Sequence, residues 1–180
     1  MNSFKILSDD EKNLVKELIN SLLQNNEFES LLEQFQLLKI EHHRIEVYLV
    51  PLEFIPLINL IKIHLKDNQI IQIGGKLGFF INERFFIGIE SLSYLTPLTD
   101  RKLILNSQET TKFLYGESFA VADQDKSISY LNSPIIICSD QHIPIGIGIL
   151  KLKEKICFLK NLVDVGIYLR SEKSAFRIGK

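Results

Sequence analysis

Residues 113–120 read Phe-Leu-Tyr-Gly-Glu-Ser-Phe-Ala, FLYGESFA, and two folds compete for them. Gly116-Glu117-Ser118-Phe119-Ala120 nearly fits G-x-S-x-G, the elbow that lifts a nucleophilic serine onto a sharp turn between a strand and a following helix. Alternatively Gly116 ends a helix, because the position after the last helical residue favours one that adopts positive φ without strain.

The flanking residues decide between them. Upstream, Asn106 stands three residues before Glu109, a cap pattern that predicts a short helix SQETTKFLY. Downstream, ESFAV, SPIIICS, IPIGIGILKL and KICFLKN are apolar runs of strand length, before a last short helix expected around NLVDVGIYLRSE. A helix before Ser118 and a strand after it reverse the order the elbow requires. His142 is the only histidine beyond the serine, in a turn-like SDQHIPIG, so a triad has little to draw on. Ser118 then belongs to a strand entry, read as opposite the Gly146-Ile147-Gly148 strand.

Two glycines inside one apolar strand, Gly146 and Gly148, mark close approach of a backbone or a ligand. Lys151, Lys153 and Lys155 follow, alternating with Leu152, Glu154 and Ile156. Strand periodicity predicts all three lysines on one face. Such a face is either ordinary solvated surface or a row of ammonium groups that meets the phosphates of a nucleic acid.

The first half reads differently. Ser8-Asp9-Asp10-Glu11 is a capping box, and Leu14, Val15, Leu18, Ile19, Leu22 and Leu23 recur at one-face helical spacing behind it. Phe28, Leu31, Leu32 and Phe35 continue a helical period to about Gln36. LLKIEHHRIEVYLV then gives two extended runs, and Pro51 is suited to open a helix that is kinked at, or starts from, Pro56. QIIQIGGKLGFFINERFFIGIES reads as two or three antiparallel strands with a break at Gly74-Gly75 and a tight turn at Asn82-Glu83. Pro97 and Asp100 set a boundary, giving domains at 1–97 and 98–180. The fold class is α+β: an N-terminal antiparallel sheet with flanking helices and a smaller, mostly β second half.

Composition excludes several functions. With 46% hydrophobic and 24% charged residues the chain is globular and not disordered. A net charge of −1 argues against a uniformly basic nucleic-acid coat, leaving a local patch, and the cations do gather after residue 150. No signal peptide or membrane span is expected, and the protein is read as soluble and intracellular. Cys138 and Cys157 sit in apolar runs without C-x-x-C spacing, as buried free thiols. Gly74-Gly75-Lys76-Leu77-Gly78 lacks the phosphate-loop pattern, and His42-His43 would point to opposite faces of a strand. No metal site and no cofactor are expected.

FLYG with an apolar strand behind it, SPIIICSDQHIPIGIGIL and LVDVGIYLRSE, in that order and spacing, resemble the PUA domain, a small β pseudo-barrel that binds RNA. With LSDDEKNLVKEL and GKLGFFINERFFIGIESLSYLTPL upstream, nearly the whole chain is similar to the Nip-seven family of large-subunit ribosome biogenesis factors. The resemblance implies a non-enzymatic factor with an N-terminal domain for protein contacts and a C-terminal PUA domain that holds precursor ribosomal RNA. It implies ribosome assembly factors, exosome subunits and the Shwachman syndrome family protein as partners, a monomer, and a cytoplasmic location, nucleolar in a nucleated cell. Archaeal relatives bind uridine-rich RNA through basic side chains on the strand after G-x-G. By position these are Lys151, Lys153 and Lys155, with Lys160 as a fourth, and Gly116, Gly146 and Gly148 are the structural signature. The loop after FLYG, AVADQDKS, is acidic where the family usually has lysine and glycine.

Overall fold

The computed structural model describes residues 4–24, 26–41, 44–58, 74–121 and 130–166. The chain divides into two compact units, Met1–Asn20 with Asn25–Ser91, and Ser21–Gln24 with Leu92–Lys180.

In the first unit, strand β1 (Phe4–Ile6) leads into helix α1 (Asp9–Leu23). The expected capping box forms: the Glu11 N–H donates to Ser8 Oγ at 3.3 Å and the Ser8 N–H to Glu11 Oε2 at 2.8 Å. Helix α2 (Glu27–Leu32) is followed by β2 (Phe35–Glu41), β3 (Ile45–Pro51), β4 (Gly75–Ile81) and β5 (Arg84–Ile87). The five strands form one antiparallel sheet in sequence order. Asn82 and Glu83, at φ 47° and 63°, make the tight β4–β5 turn that was expected. Gly74, at φ +74°, supplies the break before β4.

One expectation fails in this unit, and a choice between two alternatives is decided. The helical period assigned as far as Gln36 stops at Leu32, because Phe35 and Gln36 pair in register with Pro51 and Val50 of β3; inter-strand pairing overrides the local spacing. Of the two alternatives for the next helix, the start near Pro56 is the one adopted, and Pro51 does not open it. Pro51 ends β3, a 3-10 turn follows at Leu52–Phe54, and residues 55–58 are helical. The rest of that helix, the QIIQI strand and His42-His43 lie outside the described residues.

One face of this sheet buries Phe4, Leu38, Ile40, Tyr48 and Val50 with Ile58. At its margin Glu46 accepts hydrogen bonds from Lys76 Nζ and Tyr48 OH, both at 2.7 Å, and from Arg44 Nε at 3.1 Å. Burial alone would raise the Glu46 pKa, but these three donors outweigh it and hold the carboxyl at about 2.

The second unit contains helix α3 (Leu92–Leu95), β6 (Lys102–Ile104), helix α4 (Ser107–Leu114), β7 (Phe119–Ala120), β8 (Pro134–Cys138), β9 (Pro144–Lys153) and β10 (Ile156–Asp164). Its sheet runs β6-β8-β9-β10-β7, with β6 and β8 parallel and the other neighbours antiparallel. Helices and strands are thus combined as α+β. The expected helix at the chain end is overturned over residues 161–164, which pair with β9 as the end of β10; residues beyond 166 lie outside the described set.

FLYGESFA closes α4. Asn106 Oδ1 accepts from the Glu109 N–H at 3.0 Å and Glu109 Oε2 from the Asn106 N–H at 3.1 Å, a complete capping box. At the other end the Gly116 N–H donates to Phe113 O at 2.9 Å and the Glu117 N–H to Lys112 O at 3.0 Å. With Gly116 at φ +77° this is a Schellman motif. Asn161 Nδ2 donates to the same Phe113 carbonyl at 2.7 Å and to Asp164 Oδ2 at 2.7 Å. The end of β10 therefore fastens the end of α4, which is why FLYG and the later Asn-Leu-Val-Asp stretch belong together.

Candidate nucleic-acid interface

Residues paired across neighbouring strands share a face of the sheet. On the inner face Gly146, Gly148 and Leu150 of β9 lie beside Ile137, Ile135 and Leu159, over a core that includes Phe113 and Phe119. The two glycines serve this packing. A methyl group on Gly146 would press on the Val163 carbonyl oxygen and lie 2.6 Å from Phe113 Cε1 and 3.0 Å from Asp164 Cα. On Gly148 it would lie 2.6 Å from Leu159 Cδ1. What approaches these positions is the domain's own backbone and core.

The outer face carries Ile147, Ile149, Lys151 and Lys153 of β9. Lys153 is opposite Ile156, Lys151 opposite Phe158, and Ile149 opposite Lys160. At one end this face is closed: Ile136 and Ile147 are buried, and α3, with buried Leu92 and Leu95, packs on β9. Toward the β9–β10 hairpin it opens to solvent, and Lys151, Lys153 and Lys160 are all exposed. Strand geometry spaces Lys151 and Lys153 about 7 Å apart, and the diagonal Lys151–Lys160 pair about 7–8 Å.

Lys155 departs from the expectation that placed it on that face. Glu154 and Lys155, at φ 52° and 67°, form the two-residue turn between β9 and β10. Lys155 therefore stands at the hairpin tip, and Lys160, from the neighbouring strand, completes the face. A two-residue turn keeps the alternation of lysines intact, so periodicity alone cannot reveal it.

Among the described residues Lys151, Lys153, Lys155 and Lys160 take part in no salt bridge. The contrast is with Lys5, Lys12, Lys16, Lys39, Arg44 and Lys76 of the first unit, each of which holds a carboxylate. Exposed ammonium groups with no ion-pair partner among the described residues can meet an external anion without breaking a pair to any of those residues.

Ser118 is exposed at the entry to β7, with α4 before it and a strand after it. The strand beside β7 is β10, through Ala120↔Phe158, and not the Gly146–Gly148 strand as expected. Most of the acidic loop, residues 122–127, lies outside the described residues. Both cysteines are buried thiols outside any disulfide, as expected, and burial raises the pKa of Cys138. Among the described residues no group of three metal-ligating side chains occurs, and no helix is long and apolar enough to cross a membrane.

Two features went unread in the sequence. Phe158, half-buried, lies between Lys151 and Ala120 on the outer face. Its only sequence signal was its place in the apolar run ICFLK. Arg101 is buried beside Tyr130, 5.4 Å from the ring centroid, with Nε and Nη1 unpaired among the described residues, and burial lowers its pKa.

Residues 101–173 match a family model described as UPF0113 PUA domain. No curated protein matches the chain. The matched segment contains the five-stranded sheet, the helix closed by Gly116 and the lysine-bearing face. The C-terminal part of this chain is a PUA domain, an RNA-binding module.

Proposed function

We propose that the protein is a non-enzymatic RNA-binding factor of large ribosomal subunit biogenesis, which holds precursor ribosomal RNA on the outer face of its PUA sheet. The observation that carries this reading is the set of exposed lysines, Lys151, Lys153 and Lys160, on one face of an RNA-binding module, with no ion pair among the described residues. Lys155 at the hairpin tip extends the same positive surface. Because ammonium groups act as point charges and lack the bidentate fork of arginine, binding is strong in its salt dependence and weak in its sequence preference. The resemblance to the Nip-seven family supports the ribosomal assignment and suggests assembly factors, exosome subunits and the Shwachman syndrome family protein as partners. It also suggests a monomer in the cytoplasm, or in the nucleolus of a nucleated cell.

A second reading, an adaptor whose RNA affinity is incidental, is favoured by the first unit. There Phe79 and the exposed Phe86 stack at 5.7 Å with the Arg44 guanidinium 4.3 Å over Phe79, an aromatic and cationic surface suited to protein contact. Crosslinking bound RNA in cells and sequencing it tests the first reading: enrichment of precursor ribosomal RNA supports it, and enrichment of no RNA contradicts it. Recovery of the same protein partners after ribonuclease treatment, with no crosslinked RNA, would favour the adaptor.

A further inference from the structure

Beyond phosphate attraction, the outer face offers a ring to a base. Phe158 sits on β10 directly opposite Lys151, with Ile156 and Lys160 two residues to either side on its own strand. On its other flank its register partner is Ala120 of β7, whose single methyl group leaves the space beside the ring low. Phe158 is the one aromatic side chain on this face of β9 and β10, and it is half-buried, so part of it is in contact with solvent. The neighbouring Phe119 points the other way, into the core, as its pairing with Leu159 requires. An aromatic platform bordered by ammonium groups about one nucleotide step away is the arrangement with which proteins hold single strands: bases stack on rings while lysines take the phosphates. A base-paired duplex has no free base face to present to such a ring.

We infer that Phe158 is a stacking platform for an unpaired nucleobase, and that the Lys151, Lys153 and Lys160 face selects single-stranded over duplex RNA through it. This inference rests on the RNA-binding reading above. An apolar ring without such a role would be replaceable by any side chain of similar bulk. Lysine contacts fix the salt dependence of binding, and Phe158 fixes the dependence on bases.

The chain contains no tryptophan, so Phe158→Trp places a single indole reporter at the platform. The full-length variant is titrated at low salt with oligouridine and with an abasic oligonucleotide of equal length, binding being followed independently by anisotropy of a labelled strand. Indole emission is expected to fall on binding oligouridine and to stay unchanged at equal saturation with the abasic strand. Phe158→Leu, which keeps an apolar residue on the face, is expected to bind oligouridine about ten-fold more weakly than wild type and the abasic strand equally well. Saturation of Phe158→Trp with no change in emission, or undiminished oligouridine binding by Phe158→Leu, overturns the inference while leaving lysine-dependent RNA binding intact. If wild type binds neither strand, the RNA-binding reading fails and the inference with it.

Discussion

Replacing Gly146 by alanine should damage the second unit more than the same change at Gly148, two residues along the same strand. At Gly146 the added methyl group meets the Val163 carbonyl oxygen, the Asp164 Cα at 3.0 Å and the ring of fully buried Phe113 at 2.6 Å. Two of these belong to the backbone of β10, and the third closes the helix that Asn161 fastens, so none yields cheaply. Overpacking of this kind costs about 1–3 kcal/mol. With neighbours this rigid the upper end applies, offset by the roughly 0.4–1 kcal/mol that alanine contributes by restricting the unfolded chain. The net loss is about 2 kcal/mol. At Gly148 the nearest atom is the end of the Leu159 side chain at 2.6 Å, with Lys160 O at 3.2 Å, and a rotamer change relieves most of the contact, leaving a loss below about 1 kcal/mol. Urea unfolding followed by circular dichroism would read both, and the melting temperature of Gly146→Ala should fall by about 4–16 °C, according to whether the unit unfolds alone or with the chain. Equal stability of Gly146→Ala and wild type, or a larger loss at Gly148, would refute the account of why the two glycines are there.

Glu46 links stability to pH. Its carboxyl pKa is about 2 in the folded protein against a reference of 4.5, so its contribution is complete above about pH 4.5 and disappears as pH falls toward 2. At about 1.4 kcal/mol per pH unit this amounts to at most about 3 kcal/mol, and Glu46→Gln should flatten the loss of stability between pH 5 and 3; an unchanged acid limb would contradict it. Asn161→Ala should cost about 1–2 kcal/mol by removing hydrogen bonds to the Phe113 carbonyl and to the buried Asp164 carboxyl, measured by the same unfolding assay, with Asn161→Asp no better because it exchanges a donor for a second carboxylate. Lys155→Glu should weaken RNA binding less than Lys151→Glu, because Lys155 is at the hairpin tip; the reverse order in a filter-binding titration would place the contact surface at the turn.

Features set by a few neighbouring residues were legible in the sequence. The capping boxes at Ser8 and Asn106, the Asn82-Glu83 turn and the glycine closure after FLY each depend on residue types within about six positions. Close approach at Gly146 and Gly148 followed from two glycines inside one apolar strand. What escaped depends on pairing at a distance. Phe35 continues a helical period yet is drawn into β2 by β3. Residues 161–164, expected to begin a helix, instead end β10, where a register shift between Asn161 and Val163 inserts an extra residue that breaks strand alternation. The Glu154-Lys155 turn has neither glycine nor asparagine to announce it, so the lysine row ran on through it unnoticed. Phe158 gained its significance only from the register that set it opposite Lys151; Lys160, already expected from the resemblance, is placed on that face by the same register. The neighbour of β7 likewise could not be told from order along the chain.

Equilibrium binding of a uridine-rich oligonucleotide to wild type and to Lys151→Glu with Lys153→Glu, across a range of salt concentrations, tests the central claim most directly. Each phosphate contact on a single strand contributes about 0.7 to the slope of log affinity against log salt, so the loss of two contacts should lower the slope by about 1.4, with the variant folded and its low-salt affinity strongly reduced but still measurable. A folded variant that binds with wild-type affinity and an unchanged slope would contradict the assignment of this face to RNA.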